Sequence, residues 1–219
     1  MDIADRHPAV YAAVGVHPND CAGFDDRAVD ALAEMCRHPK VVAIGEIGLD
    51  YYWKRVSPEQ QKQALRSQLA LAADRGLPVI LHSRESMSDL LWELEQWVGT
   101  IRRECDSCAT IGVLHAFSGE LADAHRAYNL GLLLGLGGPV TFQNARNLHA
   151  LVPQLRRDRL VLETDAPYLA PHPYRGKRNE PAYLPLIAQA LATRMGTSTD
   201  TLVAQTNETA QGCFRLAGH

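Results

Sequence analysis

Apolar and polar residues alternate along this chain in two periods, and the two periods take turns. Short continuous apolar runs lie at residues 10–16, 41–46, 78–81, 111–114, 132–135 and 160–162. Such runs suit strands buried on both faces, as in a parallel sheet. Between them, apolar residues recur at helical spacing. Residues 27–37 place Leu32, Met35 and Cys36 on one side. Ser57-Pro58-Glu59-Gln60 reads as a helix start, with Ser57 as N-cap, Pro58 at the first helical position and Gln60 closing a capping box. That helix is expected to reach Arg75 and stop at Gly76. Ser86 is expected to cap a helix whose Leu90, Leu91, Leu94, Trp97 and Val98 form a core-facing stripe. Ser118 is expected to cap a shorter one, with Leu121, Ala124 and Tyr128, ending near Gly131. Further helices are expected at 146–155, 183–194 and 202–216. Strand–helix alternation predicts an α/β fold with a parallel sheet, doubly wound or a barrel, in one domain over residues 1–219.

The ends of the apolar runs say what the sheet is for. Five of them finish at or near a residue able to ligate a metal: His17, Glu46, His82, His115 and Asp165. In both α/β architectures the functional site lies at the C-terminal ends of the strands. A carboxylate closing a buried strand, as Glu46 does between two glycines, is costly unless it is paired or binds a metal. Five such residues, drawn only from His, Glu and Asp, point to one convergent site of imidazole and carboxylate ligands. That chemistry suits zinc, manganese, nickel or iron better than calcium.

Composition narrows the function classes. The 219 residues are 46% hydrophobic and 21% charged, with a formal net charge of −3. No global positive field draws in a polyanion, so contact with nucleic acid must be local. No apolar run is long enough for a membrane helix, and Met1-Asp2-Ile3-Ala4-Asp5-Arg6 does not read as a signal peptide. Five scattered cysteines suit a reducing cytoplasm better than a disulfide framework. Cys105-Asp106-Ser107-Cys108 lacks a partner pair and reads as a polar connection. Gly135-Leu136-Gly137-Gly138-Pro139 reads as a tight turn rather than a phosphate loop. His125, His149, His172 and His219 have no ligand-like spacing and read as surface residues or caps.

Six motifs occur in order: Gly15-Val16-His17-Pro18; Gly45-Glu46-Ile47-Gly48-Leu49-Asp50-Tyr51; Leu81-His82-Ser83-Arg84; His115-Ala116-Phe117-Ser118-Gly119; Glu163-Thr164-Asp165-Ala166-Pro167-Tyr168-Leu169; and Arg175-Gly176-Lys177-Arg178-Asn179-Glu180-Pro181. With them the chain resembles, over nearly its whole length, the TatD-type metal-dependent deoxyribonucleases of the amidohydrolase-like TIM-barrel group. The resemblance implies a (β/α)8-type barrel. It implies that Glu46 bridges two divalent metals (Zn, Mn, Mg or Ni), that His82 and His115 hold the second, and that Asp165 sits on the first and handles a proton. It implies DNA, single-stranded or at its ends, as substrate. The sequence departs from the family in having no His-x-His pair, the usual ligands of the first metal. Six strands are readable, and the chain starts inside what corresponds to the second helix. An N-terminally truncated barrel with about six of the (β/α)8 strands is therefore expected. Its exposed edges would invite self-association. It is expected to hold one metal and to show little nuclease activity.

The residues themselves leave alternatives open. Asp165 reads as general base for an attacking water, or as a ligand or turn cap only. Arg84 reads as a bidentate phosphate donor or as half of a surface ion pair. Arg175, Lys177 and Arg178 read as a local polyanion site or as a solvated loop. His17 belongs with these substrate-facing groups. Tyr51, Tyr52, Phe117 and Tyr168 read as stacking partners for unpaired bases or as packing under loops. Hydrolysis of an amide or lactone is open to the same ligands, and so is a non-catalytic scaffold. The basic loop favours the phosphodiester, and the missing His-x-His favours the scaffold.

Overall fold

A computed structural model describes residues 1–104 and 110–216. Six strands form one sheet in the order β1 (Ala12–Val14), β2 (Val41–Asp50), β3 (Val79–Arg84), β4 (Gly112–Leu114), β5 (Leu132–Leu136) and β6 (Leu160–Leu162). Every pair is parallel, so each connection crosses over and all the strand C-termini share one rim. The helices between and after them are α1 (Asp2–Arg6), α2 (Asp26–Met35), α3 (Pro58–Arg75), α4 (Met87–Glu104), α5 (Leu121–Leu130), α6 (Arg146–Leu151), α7 (Leu184–Arg194) and α8 (Thr199–Phe214). Parallel strands linked through helices are the (β/α)8-barrel arrangement, present here with six strands among the described residues. No helix of the described residues is long and apolar enough to cross a membrane.

The core lies where the sheet meets the helix stripes. Ile44, Ile47, Leu81, Leu114 and Leu134 from the strands pack with Leu65 and Leu69 of α3, Leu90, Leu91 and Leu94 of α4, and Ile187 and Leu191 of α7. Each such side chain, fully buried, stabilises the fold by roughly 1.5–3 kcal/mol before entropy is counted. The α3 N-cap and C-cap stand where the sequence predicts them, but Gln60 Oε1 accepts from the Ser57 hydroxyl at 3.2 Å rather than from the Ser57 amide that would close a capping box. Ser57 Oγ accepts from Gln60 N at 3.3 Å, and Gly76 ends the helix in the left-handed region at φ 61°. Other helix starts differ. Ser86 stands just before α4 as expected, its carbonyl accepting from Leu90 N at 2.9 Å, but its hydroxyl donates to Leu49 O at 2.7 Å and ties α4 to β2. The helix expected from Ser118 begins at Leu121, with Asp123 accepting from Glu120 N at 3.0 Å. The helix expected over 146–155 tightens into a 3₁₀ turn at Val152–Gln154, because Pro153 cannot continue an α-helical ladder.

The main departure from the sequence reading is in β2. The run was expected to end at Glu46, yet the strand continues to Asp50, with Ile47 and Leu49 fully buried. Between Ile44↔Val79 and Ile47↔Leu81, three steps on β2 span two on β3. Glu46 sits on this bulge, and a bulge re-aims a side chain that strict alternation would point elsewhere. Beyond it, Gly48 passes against His82 with φ 148°, and a Cβ there would land on the His82 carbonyl oxygen. Gly48→Ala is therefore expected to destabilise the fold by ~3 kcal/mol. Gly99→Ala, on an open face of α4, should stabilise it by up to ~1 kcal/mol. Urea denaturation midpoints should move in opposite directions; a Gly48→Ala midpoint equal to wild type would contradict this account of β2.

Candidate active site

The side chains that gather at the rim do so around Glu46. Its Oε1 lies 2.8 Å from His82 Nδ1, 3.8 Å from His17 Nε2 and 4.0 Å from His115 Nε2. His115 Nε2 lies in turn 3.5 Å from Asp165 Oδ1. The five strand-end residues read from the sequence are thus brought together, each by a different local device. His17 follows β1 and opens the 3₁₀ turn Pro18–Asp20, its Nδ1 accepting from Asn19 N at 3.1 Å. Glu46 is aimed by the β2 bulge. His82 lies within β3, and His115 is the residue after β4. Asp165 follows β6 in the left-handed region, at φ 58°. A non-glycine residue there costs about 1–2 kcal/mol, so the turn must be held. Asn179, buried, does this: its amide nitrogen donates to both Thr164 O and Tyr168 O, while Tyr168 N donates to Asp165 O at 2.7 Å.

Behind the histidines stand two carboxylates to which the sequence reading gave no role. Asp50 Oδ2 is 3.1 Å from His82 Nε2 and accepts from Asn19 Nδ2 at 2.9 Å. Asp50 Oδ1 accepts from the backbone N–H groups of Tyr52 at 3.0 Å and Trp53 at 3.1 Å. Glu163 Oε2 is 2.9 Å from His115 Nδ1, and its Oε1 accepts from Ala116 N at 2.7 Å. Gly135, opposite on β5, leaves room for this carboxylate, because a Cβ there would occupy the Glu163 oxygens. The glycine-rich stretch after β5 is therefore neither a phosphate loop nor only a turn. It clears space for Glu163, and the available signal was two spaced glycines facing the Glu163-Thr164-Asp165 run.

The electrostatics follow from this crowding of acids. Burial alone would push His115 down. Hydrogen bonds to Asp165 and Glu163, with the charges of Glu163 and Glu46, outweigh it and hold His115 up to about 10. Burial opposes the Glu46 charge, but the His82 hydrogen bond and the three imidazoles keep its carboxyl below the ordinary range. Asp50 is likewise held low against burial, by Trp53 N, Asn19 and His82. His17 is held below the usual imidazole value, first by burial and then by the neighbouring His82 charge. The site is thus a surplus of carboxylate charge that draws positive charge to itself. A second candidate metal trio, His17, Asp50 and His82, offers donor atoms within 4.8 Å of one another.

The remaining residues singled out from the sequence divide. Arg84 is exposed, with its guanidinium carbon 3.8 Å from the Tyr52 ring centre. Arg175 lies over Phe142 at 4.4 Å and donates to Asn144 Oδ1 at 3.2 Å, while Lys177 and Arg178 are exposed on the same loop. The Tyr51 hydroxyl donates to Asp89 at 2.9 Å, and Lys62 pairs with the same carboxylate at 2.6 Å. Burial, then Asp89, pushes Tyr51 up to about 12. Its ring packs against the core, and Phe117 is buried within it. Tyr168 is exposed, as are Tyr52 and Trp53, which lie edge to face. Cys105, Cys108 and His219 lie outside the described residues.

Known proteins share this arrangement. The family described as TatD related DNase matches residues 1–215. The chain is 37% identical over 216 residues to the metal-dependent hydrolase YabD of Bacillus subtilis, covering 99% of this chain and 82% of that protein. It is 36% identical over 219 residues to the 3'-5' ssDNA/RNA exonuclease TatD of Klebsiella pneumoniae, covering 98% and 80%. The crystal structure of the TatD homologue YJJV from Escherichia coli superposes with a TM-score of 0.89 at 30% identity, covering 99% of this chain and 81% of that one. A parallel β/α barrel sheet, an acid–imidazole cluster at its C-terminal rim and these matches agree on one conclusion: the chain belongs to the TatD-related DNase family.

Proposed function

We propose that this chain is a metal-dependent hydrolase of phosphodiester bonds, acting on single-stranded DNA or on DNA ends. The observation that carries the reading is the convergence of three imidazoles and Asp165 on Glu46, where His115 is held up to about 10 by surrounding acids. A cluster with that surplus of negative charge and that mixture of nitrogen and oxygen donors fits a divalent transition metal. Glu46, His82 through Nδ1 and His115 through Nε2 would hold it, with Asp165 beside them. When bound, the ion supplies charge neutralisation and lowers the pKa of a water toward ~7.

The chain's own residues do the rest. Asp50 and Glu163 keep protons on His82 Nε2 and His115 Nδ1, so the opposite ring nitrogens present lone pairs toward Glu46. Asn19 N donates to His17 Nδ1, which leaves the proton of neutral His17 on Nε2, facing Glu46. His17 is therefore a donor for a phosphoryl oxygen rather than a ligand. Asp50 is already engaged by Asn19, His82 and two backbone amides. Both points favour the Glu46 set over the trio His17, Asp50 and His82. Asp165 takes the proton of the attacking water. Arg84, Arg175, Lys177 and Arg178 stand on this rim as receivers of the polyanion, which favours a phosphodiester over an amide or lactone. The relatives named as ssDNA/RNA exonucleases support the same substrate class. The outer strands β1 and β6 offer edges for pairing with a second copy.

Two outcomes are expected. With added Mn²⁺ the protein should release acid-soluble nucleotides slowly from end-labelled single-stranded DNA. EDTA and His115→Ala should abolish release, Asp165→Ala should reduce it by ~10²-fold or more, and Glu163→Gln by ~10–100-fold. Release indifferent to EDTA, or undiminished in Asp165→Ala, would overturn the reading. Metal binding should also displace a proton. His115 is protonated below about 10 in the metal-free protein, whereas a ligand must present its lone pair. Titration calorimetry in buffers of different protonation enthalpy should show about one proton released at neutral pH. His115→Gln should release about one proton fewer, and equal values for the two proteins would contradict the ligand assignment.

A further inference from the structure

Two large aromatic side chains stand exposed beside the site. Tyr52 and Trp53, each 46% exposed, follow β2 with ring centres 4.9 Å apart. Arg84, at the end of β3, lays its guanidinium 3.8 Å from the Tyr52 ring centre and 5.6 Å from that of Trp53, and Arg55 lies 5.6 Å from the Trp53 ring. Neither arginine forms an ion pair among the described residues. Apolar aromatic surface left in water beside two cations with no carboxylate partner is an arrangement that ion-pair networks and core packing leave unexplained.

The platform is fixed to the site. Asp50 Oδ1 accepts from the amides of Tyr52 and Trp53, while its Oδ2 lies 3.1 Å from His82 Nε2. Asp50 also pairs with Arg84 in the β2–β3 register, and Tyr51 N donates to Arg84 O at 2.9 Å. One buried carboxylate therefore sets the position of a site histidine and of the aromatic loop together. We propose that Tyr52, Trp53 and Arg84 form a nucleobase-binding subsite, in which an unpaired base stacks on Trp53, held edge to face by Tyr52, and the cations take the adjoining phosphate. A stacked base must be free of its duplex partner, so the subsite selects single strands and frayed ends without reading sequence. The proposal rests on the phosphodiester reading of the rim.

The test is binding without turnover. The metal-free protein in EDTA is titrated into a fluorescein-labelled oligothymidylate, and into the same strand carrying abasic residues, with anisotropy as readout. Wild type is expected to bind the abasic strand about tenfold more weakly. Trp53→Ala should lose about tenfold on the intact strand and little on the abasic one, and Trp53→Phe should recover most of it. Arg84→Gln should lower the slope of log affinity against log salt by about one. Trp53 is exposed, and an unchanged thermal midpoint shows that its variants remain folded. Equal affinity of wild type for the two strands, or no loss in Trp53→Ala, overturns the subsite. Nucleotide release is measured separately: base-dependent binding without cleavage would sink the nuclease reading and leave the subsite standing, and cleavage without base dependence would do the reverse.

Discussion

A carboxylate in the body of a buried parallel strand is the constraint on which the rest of this structure depends. Taking such an ion even part of the way out of water is costly unless its surroundings answer the charge. Around Glu46 the answer comes from His17, His82 and His115, which hold it ionised despite burial. The histidines are answered in turn by Asp50 and Glu163, and with Asp165 the acids outnumber what the imidazoles can neutralise. A proton held on His115, or a cation in its place, offsets part of that surplus. The bulge in β2, the bare backbone at Gly48 and the space opposite Gly135 all serve to let this one group of charges meet.

Precision comes from rigid elements rather than from loops alone. His82 sits within a strand, Glu46 on a bulge of its neighbour, and His115 one step past a third. The exceptions are His17, at the start of a 3₁₀ turn, and Asp165, on a left-handed turn where the buried Asn179 supplies the missing rigidity through two carbonyl contacts. The Asp165 carboxylate is thereby held at 3.5 Å from His115 without belonging to the sheet. Such support behind the reacting groups is what keeps a constellation within the tolerance that catalysis demands.

Much of this was legible in the sequence because it rests on strong local signals. The Ser57–Gly76 helix has caps at both ends, and the apolar runs of five of the six strands end near or continue into the residues that meet at the rim. What was not legible depended on tertiary partners. The run 41–46 looked complete at Glu46, where the apolar sequence is interrupted by a carboxylate between Gly45 and Gly48. In the fold, Gly48 is the residue that lets β2 run on past His82. Asp50 and Glu163 are acids near strand ends like Glu46 and Asp165, and only the fold shows that they lie on the opposite ring nitrogens of His82 and His115 from those that face Glu46. Ser118 is a good cap on intrinsic preference, yet the helix starts from Glu120 two residues later, where Asp123 closes the turn. Tyr51 looked equivalent to Tyr52, but alternation at the end of β2 sends one ring to the core and the other to water.

The central claim is that Glu46, His82 Nδ1 and His115 Nε2 face one cation site, with Asp50 and Glu163 standing behind the rings. Anomalous diffraction from crystals grown with Mn²⁺ tests it most directly. The account expects the dominant peak among Glu46, His82 Nδ1, His115 Nε2 and Asp165, with His17 Nδ1 still accepting from Asn19. A dominant peak on the other side of the His82 ring, held by His17, Asp50 and His82 Nε2, would contradict it.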